Sequence, residues 1–227
     1  MSKVINRTKL KDHINDGDVL LVGGFGMSGT PLTLIDELSV SGRKDLTVVS
    51  NNLGEAGKGL GILLHSGNLK KAVGSYFTSN REAVNAWSKG DLEIELVPQG
   101  TLAERVRIGG AGIGGFYTKT GAGTKIAEGK EERVIDGENY ILESPIKGDV
   151  SLIKALKADT KGNLIYDHTA RNFNVVMATA SKTVIAEVDE IVEVGDLKPT
   201  EVVTPHLYVD YLVMNDYEKV GGKYVAK

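Results

Sequence analysis

The sequence contains no cysteine, which excludes disulfides, thiolate catalysis and cysteine-ligated zinc. It has no basic excess either: 27 Lys and Arg stand against 30 Asp and Glu, a formal net charge of −3. A protein that grips a phosphate backbone normally carries a basic surplus or stripe, so nucleic acid is not expected as a partner. Apolar runs are short, and none reaches the roughly 20 residues of a membrane span. The opening Met1-Ser2-Lys3-Val4-Ile5-Asn6-Arg7 has no apolar signal core, so a cytoplasmic protein without a membrane partner is the expectation. His13, His65, His168 and His206 share no metal-ligand spacing and no H-E-x-x-H occurs; no metal is expected, and each histidine reads as structural. Nor is there a proline- or serine-rich linker. With 227 residues, 41% hydrophobic and 25% charged, residues 1–227 are expected to form one domain, with a polar trailing arm from about 215 to 227.

What the chain has in abundance is glycine, 28 residues, many of them gathered at 23–29 and 109–123. In Val19-Leu20-Leu21-Val22-Gly23-Gly24-Phe25-Gly26-Met27-Ser28-Gly29-Thr30-Pro31, an apolar run of strand length breaks into glycines, which turn sharply and leave room for a ligand or a neighbouring chain. Pro31 suits a first helical position, Thr30 can cap it, and Leu32, Leu34, Ile35 and Leu38 supply an apolar face. A strand, a bare loop and a helix N-terminus can receive an anionic group on unpaired N–H donors; a tight βα turn with no ligand is the plainer alternative. Gly24, Gly26 and Gly29 also spell G-x-G-x-x-G. A nicotinamide site would want an acidic residue at the end of the next strand. Asp45 has the spacing but precedes that strand, which ends in Ser50-Asn51-Asn52, so the NAD reading becomes a minor alternative.

Residues 9–14, 31 onward, 59–64, 82–87 and 101 onward read as helices. Residues 19–22, 46–49, 70–76 and 92–97 read as strands between them. That alternation predicts an α/β fold: a mostly parallel sheet flanked by helices. Ligands in such sheets bind at the carboxyl ends of the strands, here 23–29, 50–52, 76–80 and 98–100. From 132 the pattern becomes richer in β-structure. Residues 132–135 and 140–143 form a hairpin across Asp136-Gly137-Glu138-Asn139, and 149–155, 183–188 and 207–213 read as further strands.

The second glycine cluster is costly in backbone entropy and needs a reason. Close approach to a ligand or to a second chain supplies one, and Phe116 and Tyr117 in its middle speak against a free surface loop. Gln99, between a strand and a helix, could donate to a carbonyl oxygen bearing developing charge, or simply bond nearby backbone. Asn51 and Asn52 fit substrate binding or turn chemistry equally. Glu104, Glu138 and Glu143 are the carboxylates nearest these segments, and none has a partner that the sequence identifies.

Taken in order, Val22-Gly23-Gly24-Phe25-Gly26-x-x-Gly29-Thr30-Pro31, Ser50-Asn51-Asn52, Val97-Pro98-Gln99-Gly100-Thr101-Leu102-Ala103-Glu104-Arg105 and Gly109-Gly110-Ala111-Gly112 through Thr124 resemble the class I coenzyme A transferases. The likeness is to the A (alpha) subunit of the 3-oxoacid, succinyl-CoA:acetoacetate type. Tyr140-Ile141-Leu142-Glu143, Ala170-Arg171-Asn172-Phe173-Asn174 and Pro205-His206-Leu207-Tyr208-Val209 extend the pattern, which runs from about residue 19 to 213. The resemblance implies an enzyme that moves coenzyme A between carboxylic acids through a glutamyl-CoA thioester. Its nucleophilic glutamate belongs to the B (beta) half, in a Ser-Glu-Asn-Gly motif absent from this chain. It implies coenzyme A as substrate with no tightly bound cofactor, and a B (beta) subunit as partner in an αβ or α2β2 assembly.

Carried over by position, Gly23, Gly24, Phe25, Gly26, Met27, Ser28 and Gly29 match a CoA-associated loop, Asn51 and Asn52 match positions that line the acid substrate, and for Gln99 the resemblance implies an oxyanion-supporting role. Pro205-His206-Leu207-Tyr208 sits nearer the succinyl type than the butyrate–acetoacetate relatives, while subunits for 3-oxoadipate share many of these motifs. A NAD-dependent oxidoreductase and a non-catalytic small-ligand module are the more remote alternatives.

Overall fold

The computed structural model describes residues 3–221 and 223–227. A 3-10 turn over Arg7–His13 leads to β1 (Val19–Val22), α1 (Leu32–Ser39) and β2 (Leu46–Val49). α2 (Ile62–His65), β3 (Leu69–Gly74), α3 (Arg81–Lys89), β4 (Glu93–Leu96) and α4 (Gln99–Ala111) follow. Next comes an antiparallel excursion of β5 (Phe116–Thr118), β6 (Glu132–Ile135) and β7 (Glu138–Glu143). The chain returns through β8 (Gly148–Asp159), β9 (Leu164–Ile165), α5 (Asn174–Met177), β10 (Ser181–Val192) and β11 (Tyr211–Met214), and ends in β12 (Tyr217–Val220) and β13 (Lys223–Ala226). No helix among the described residues is long and apolar enough to cross a membrane.

The main sheet runs β11-β10-β8-β1-β2-β3-β4, with every neighbour on that path parallel. Parallel strands are covered on both faces and so must be apolar on both, which is why β1 reads Val-Leu-Leu-Val. Side chains alternate across the sheet. Leu20, Val22, Val48 and Leu152 join Leu34 and Leu38 of α1, Leu63 of α2 and Ala83 of α3 in one core. Leu21, Val49, Ile153 and Val184 join Leu102 and Val106 of α4 and Met177 of α5 in the other. From β1 the chain builds outward to β4, then crosses back and builds the other way from β8. The order therefore reverses between β1 and β8, and the carboxyl ends beside such a reversal are where open α/β sheets bind ligands.

The expected α/β architecture and its β-richer second half are both present, and the Asp136-Gly137 turn has positive φ at both residues (51° and 79°), as a tight two-residue hairpin requires. Two expectations need correction. Residues 207–213 are not one strand: Pro205 starts a 3-10 turn over His206–Tyr208, and pairing begins only at Tyr211. Residues 215–227 are not a trailing arm, because β12 and β13 pair as a hairpin. Its polar residues, which suggested exposure, are used in anchoring: Asn215 N donates to Val188 O at 2.8 Å, Asp216 N donates to Thr33 Oγ1 at 2.9 Å, and the Tyr217 hydroxyl meets the Asp36 carboxylate.

The second glycine cluster begins inside α4, which continues to Ala111. Glycine lets α4 touch neighbouring backbone: a Cβ on Gly109 would stand 2.0 Å from Ile146 O, and one on Gly110 2.6 Å from Thr179 O. By contrast Gly100, in the same helix, faces open space.

These contacts set opposite signs for two substitutions in one helix. Gly109→Ala should lose about 1–3 kcal/mol through overpacking. Gly100→Ala should be neutral or gain up to about 1 kcal/mol from reduced unfolded-state entropy. Urea unfolding of both variants checks this, and equal effects would contradict the packing.

Candidate active site

Four strand ends converge on one side of the reversal. Phe25 and Gly26 beyond β1, Asn51 and Asn52 beyond β2, Tyr76 beyond β3 and Gln99 beyond β4 line a cavity of about 520 Å³. The β2–β3 ladder continues past the strands, with Ser75 N and Tyr76 N donating to Asn51 O at 3.0 and 3.1 Å. Gln99 is the first residue of α4, after Pro98.

The floor is a set of buried amides. Asn51 and Asn52 are only 3% and 7% exposed, and buried polar groups need partners. Asn51 Oδ1 accepts from Gln99 Nε2 at 2.9 Å and from the Ser75 hydroxyl at 2.9 Å. Asn52 Oδ1 accepts from Gly26 N at 3.0 Å. Asn51 Nδ2 and the second Gln99 Nε2 hydrogen then have no protein acceptor among the described residues, and both side chains border the cavity. Neutral N–H donors in such a place suit an oxygen that carries or gains negative charge.

The glycine loop is held by its own chain. Phe25 and Ser28 exchange backbone bonds at 3.0 and 3.1 Å, closing a turn with Gly26 at φ 62°. A Cβ on Gly23 would lie 1.8 Å from Asn174 Oδ1, on Gly24 2.4 Å from Thr30 Oγ1, and on Gly29 2.2 Å from Ala170 O, whereas Gly26 faces open space. Close packing thus explains three of these glycines, and room for a ligand applies to Gly26. Met27 faces a separate groove with Leu32 and Tyr217, and Ser28 and Gly29 border a polar cavity with Lys154 and Asp189. Of the residues marked from sequence, Phe25, Gly26, Asn51, Asn52 and Gln99 meet at the cavity; Gly23, Gly24, Met27, Ser28 and Gly29 do not line it.

The helix N-terminus after this loop is not a vacant anion site, which corrects a further expectation. Pro31, not Thr30, occupies the cap position and makes no side-chain bond; the Thr30 hydroxyl donates to Gly26 O at 3.3 Å instead. The free donors of α1 are taken by a carboxylate of the chain itself. Glu187 on β10, 1% exposed, accepts from Leu34 N at 3.2 Å and also from Thr33 N. Lys154 Nζ lies 3.5 Å from Glu187 and also pairs with Asp189. Burial pushes the Glu187 carboxyl up to about 7, opposed by Lys154 and the helix donors.

The three carboxylates singled out in the sequence lie away from the cavity. Glu143 is buried and held by Lys130 at 2.5 Å and Arg105 at 3.7 Å, Glu104 pairs with Arg107 at 2.7 Å, and Glu138 pairs with Lys119. Sequence reasoning missed Glu55, an exposed carboxylate on the cavity rim whose nearest cation is Lys58 at 3.8 Å. It also missed Ser75, which its position at the end of a predicted strand could have indicated.

Residues 6–215 match the family described as coenzyme A transferase. The chain belongs to that family, and it is an enzyme of the CoA-transferase class. More narrowly, it is similar to the A subunits of such enzymes. It is 52% identical over 92% of its length to the A subunit of the succinyl-CoA:3-ketoacid coenzyme A transferase of Xanthomonas campestris pv. campestris strain B100, covering 86% of that protein. It is 48% identical to the A subunit of the 3-oxoadipate CoA-transferase of Pseudomonas putida, over 89% of this chain and 88% of that one. The crystal structure of an acyl-CoA transferase from Escherichia coli O157:H7, a thioester complex with CoA, shares the fold at TM-score 0.87 and 21% identity. It matches 98% of this chain, which spans 52% of that longer chain.

The raised Glu187 fixes a pH dependence. A carboxyl whose folded pKa exceeds its unfolded value stabilises the fold fully below the unfolded value, and that contribution is lost as pH rises through the folded one. Between pH 4.5 and about 7 the wild type should lose up to about 3 kcal/mol relative to Glu187→Gln, in which Lys154 keeps Asp189 as partner. Denaturant unfolding of both proteins from pH 4.5 to 8 checks this; parallel stability–pH curves would contradict it.

Proposed function

We propose that the chain is the A (alpha) subunit of an enzyme that moves coenzyme A between an acyl-CoA, such as succinyl-CoA or acetyl-CoA, and a 3-oxoacid such as acetoacetate. The observation that carries this reading is the composition of the cavity. Neutral donors line it, yet it holds no cation among the described residues, and its one carboxylate, Glu55, stands exposed on the rim. Such a wall can stabilise a reacting oxygen but lacks a buried nucleophile. A second chain, the B (beta) subunit, supplies a glutamate in this reading, consistent with relatives that are themselves A subunits.

The chemistry balances through carboxylate catalysis. A carboxylate oxygen of the partner attacks the thioester carbon, and the C–S bond breaks to give a mixed anhydride and CoA thiolate. The thiolate then attacks the glutamyl carbonyl, releasing the first acid as carboxylate and leaving a glutamyl-CoA thioester. The incoming acid reverses these steps and leaves with CoA. During each attack Gln99 Nε2, already oriented by Asn51 Oδ1, donates to the oxygen that gains charge, while Asn51 and Asn52 shape the pocket for the acid and Gly26 leaves space for the thioester arm. Coenzyme A is substrate here, with no tightly bound cofactor. The same pocket would serve 3-oxoadipate, and the Pseudomonas likeness makes that acid the second to assay.

With its B partner present, the chain should transfer CoA from succinyl-CoA to acetoacetate, and by itself it should show no transfer. Full activity of the isolated chain would overturn the reading. Removal of one oxyanion donor typically costs about 3–4 kcal/mol. Gln99→Ala in the assembled enzyme should therefore slow formation of the thioester intermediate by about a hundredfold or more, in kcat rather than KM. Stopped-flow kinetics checks this, and a wild-type rate would leave Gln99 as a helix-start residue only.

A further inference from the structure

Residues 24–28 turn back on themselves beyond the last rung of β1, and a side chain far away in sequence braces the two arms of that turn. Asn172 Oδ1 accepts from Gly24 N at 3.2 Å, and its Nδ2 donates to Ser28 O at 3.0 Å. The same amide bonds Thr169 O at 3.2 Å and Phe173 N at 2.7 Å, so the brace is rooted in the 3-10 turn over His168–Arg171. Asn174 Nδ2 also donates to Asn172 Oδ1 at 3.4 Å; with donors on the oxygen and carbonyls on the nitrogen, the amide has one orientation. On the opposite side Asn52 Oδ1 takes Gly26 N at 3.0 Å. Below, Asn174 Nδ2 donates to Gly29 O at 2.9 Å and Ala170 O at 2.8 Å, and its Oδ1 accepts from Lys154 N at 2.9 Å. Asn174 is fully buried and anchors the base of the turn. Asn172 sits at its mouth, beside a small hollow shared with Phe25 and Gln99.

We infer that Asn172 is a positioning residue for the reaction: by cross-bracing Gly24 to Ser28 it holds Phe25 and Gly26 in the shape that leaves the cavity open to substrate. Phe25 is half exposed, and apart from Asn172 the turn is held by its own Phe25–Ser28 backbone pair and by the Thr30 and Asn52 bonds to Gly26. Without the brace the turn samples other shapes, and apparent affinity falls by the fraction of time spent in the competent one. Two ordinary hydrogen bonds correspond to about a tenfold or larger shift in that fraction. The kinetic half of this inference rests on the proposed CoA-transfer reading; the loop half does not.

Two readouts separate them. Hydrogen exchange on the isolated chain should show the Gly24 and Ser28 amides exchanging at least tenfold faster in Asn172→Ala, while amides of β1 and β8 keep their wild-type rates. In the assembled enzyme, KM for acyl-CoA should rise about tenfold with kcat changed less than threefold. Asn172→Asp keeps the bulk and the Gly24 acceptor but turns a carboxylate toward Ser28 O and Thr169 O; it should not rescue either readout, and it serves where the alanine variant folds poorly. Unchanged exchange at Gly24 and Ser28 would overturn the inference, as would a fall in kcat at constant KM. An inactive wild-type assembly would count against the function and leave the exchange result to decide the brace.

Discussion

Everything at the functional end of this molecule depends on how the backbone of residues 24–29 is satisfied once it leaves the sheet. A chain running off the central strand carries N–H and C=O groups with no ladder to join, and each needs a partner from elsewhere in the chain or from water. Asparagine amides from other elements meet that demand: Asn52 takes Gly26 N, Asn172 takes Gly24 N and gives to Ser28 O, and Asn174 gives to Gly29 O. Asn174 comes closest, so Gly23 has no room for a Cβ, and Ala170 O beside it leaves none at Gly29. Loop, strand ends and the segment before α5 are therefore one hydrogen-bonded unit, although Asn172 lies 148 residues from Gly24.

That unit also sets the electrostatics. The helix N-terminus of α1 is filled from within by Glu187, which pairs with Lys154. The cavity beside it offers amide donors and no cation among the described residues. Neutral donors favour charge that develops during reaction over charge that is merely bound, and this fits a transferase whose reacting oxygen changes charge at each step. In the proposed reaction a second chain completes the site, because a carboxylate nucleophile works best partly desolvated and Glu55 is open to solvent.

The sheet was legible in the sequence because its signal is local. Apolar runs such as Leu46-Thr47-Val48-Val49 end in turn residues and alternate with helical segments, and the strand ends named from that pattern are the ones that meet. Asn51, Asn52 and Gln99 were legible for the same reason, each standing at the point where a strand gives way to the next segment. The features that escaped depend on contacts distant in sequence. Nothing around Glu187 indicates that it caps a helix over 150 residues earlier, and nothing in the polar composition after β11 reveals that Thr33 and Arg7 hold Asp216 and Asp36 holds Tyr217. The glycines misled in part: their clustering showed a backbone demand but not whether a ligand, a second chain or the chain's own asparagines made it.

In the proposed reaction this chain builds the amide-lined half of a site, and a second chain brings the nucleophile. The division is tested most directly by incubating the assembled enzyme with acyl-CoA, reducing the thioester with borohydride, and mapping the modified residue in both chains by mass spectrometry. One modified glutamate is expected, on the B (beta) partner, with none on this chain. Modification of Glu55, Glu104, Glu138 or Glu143 would contradict it.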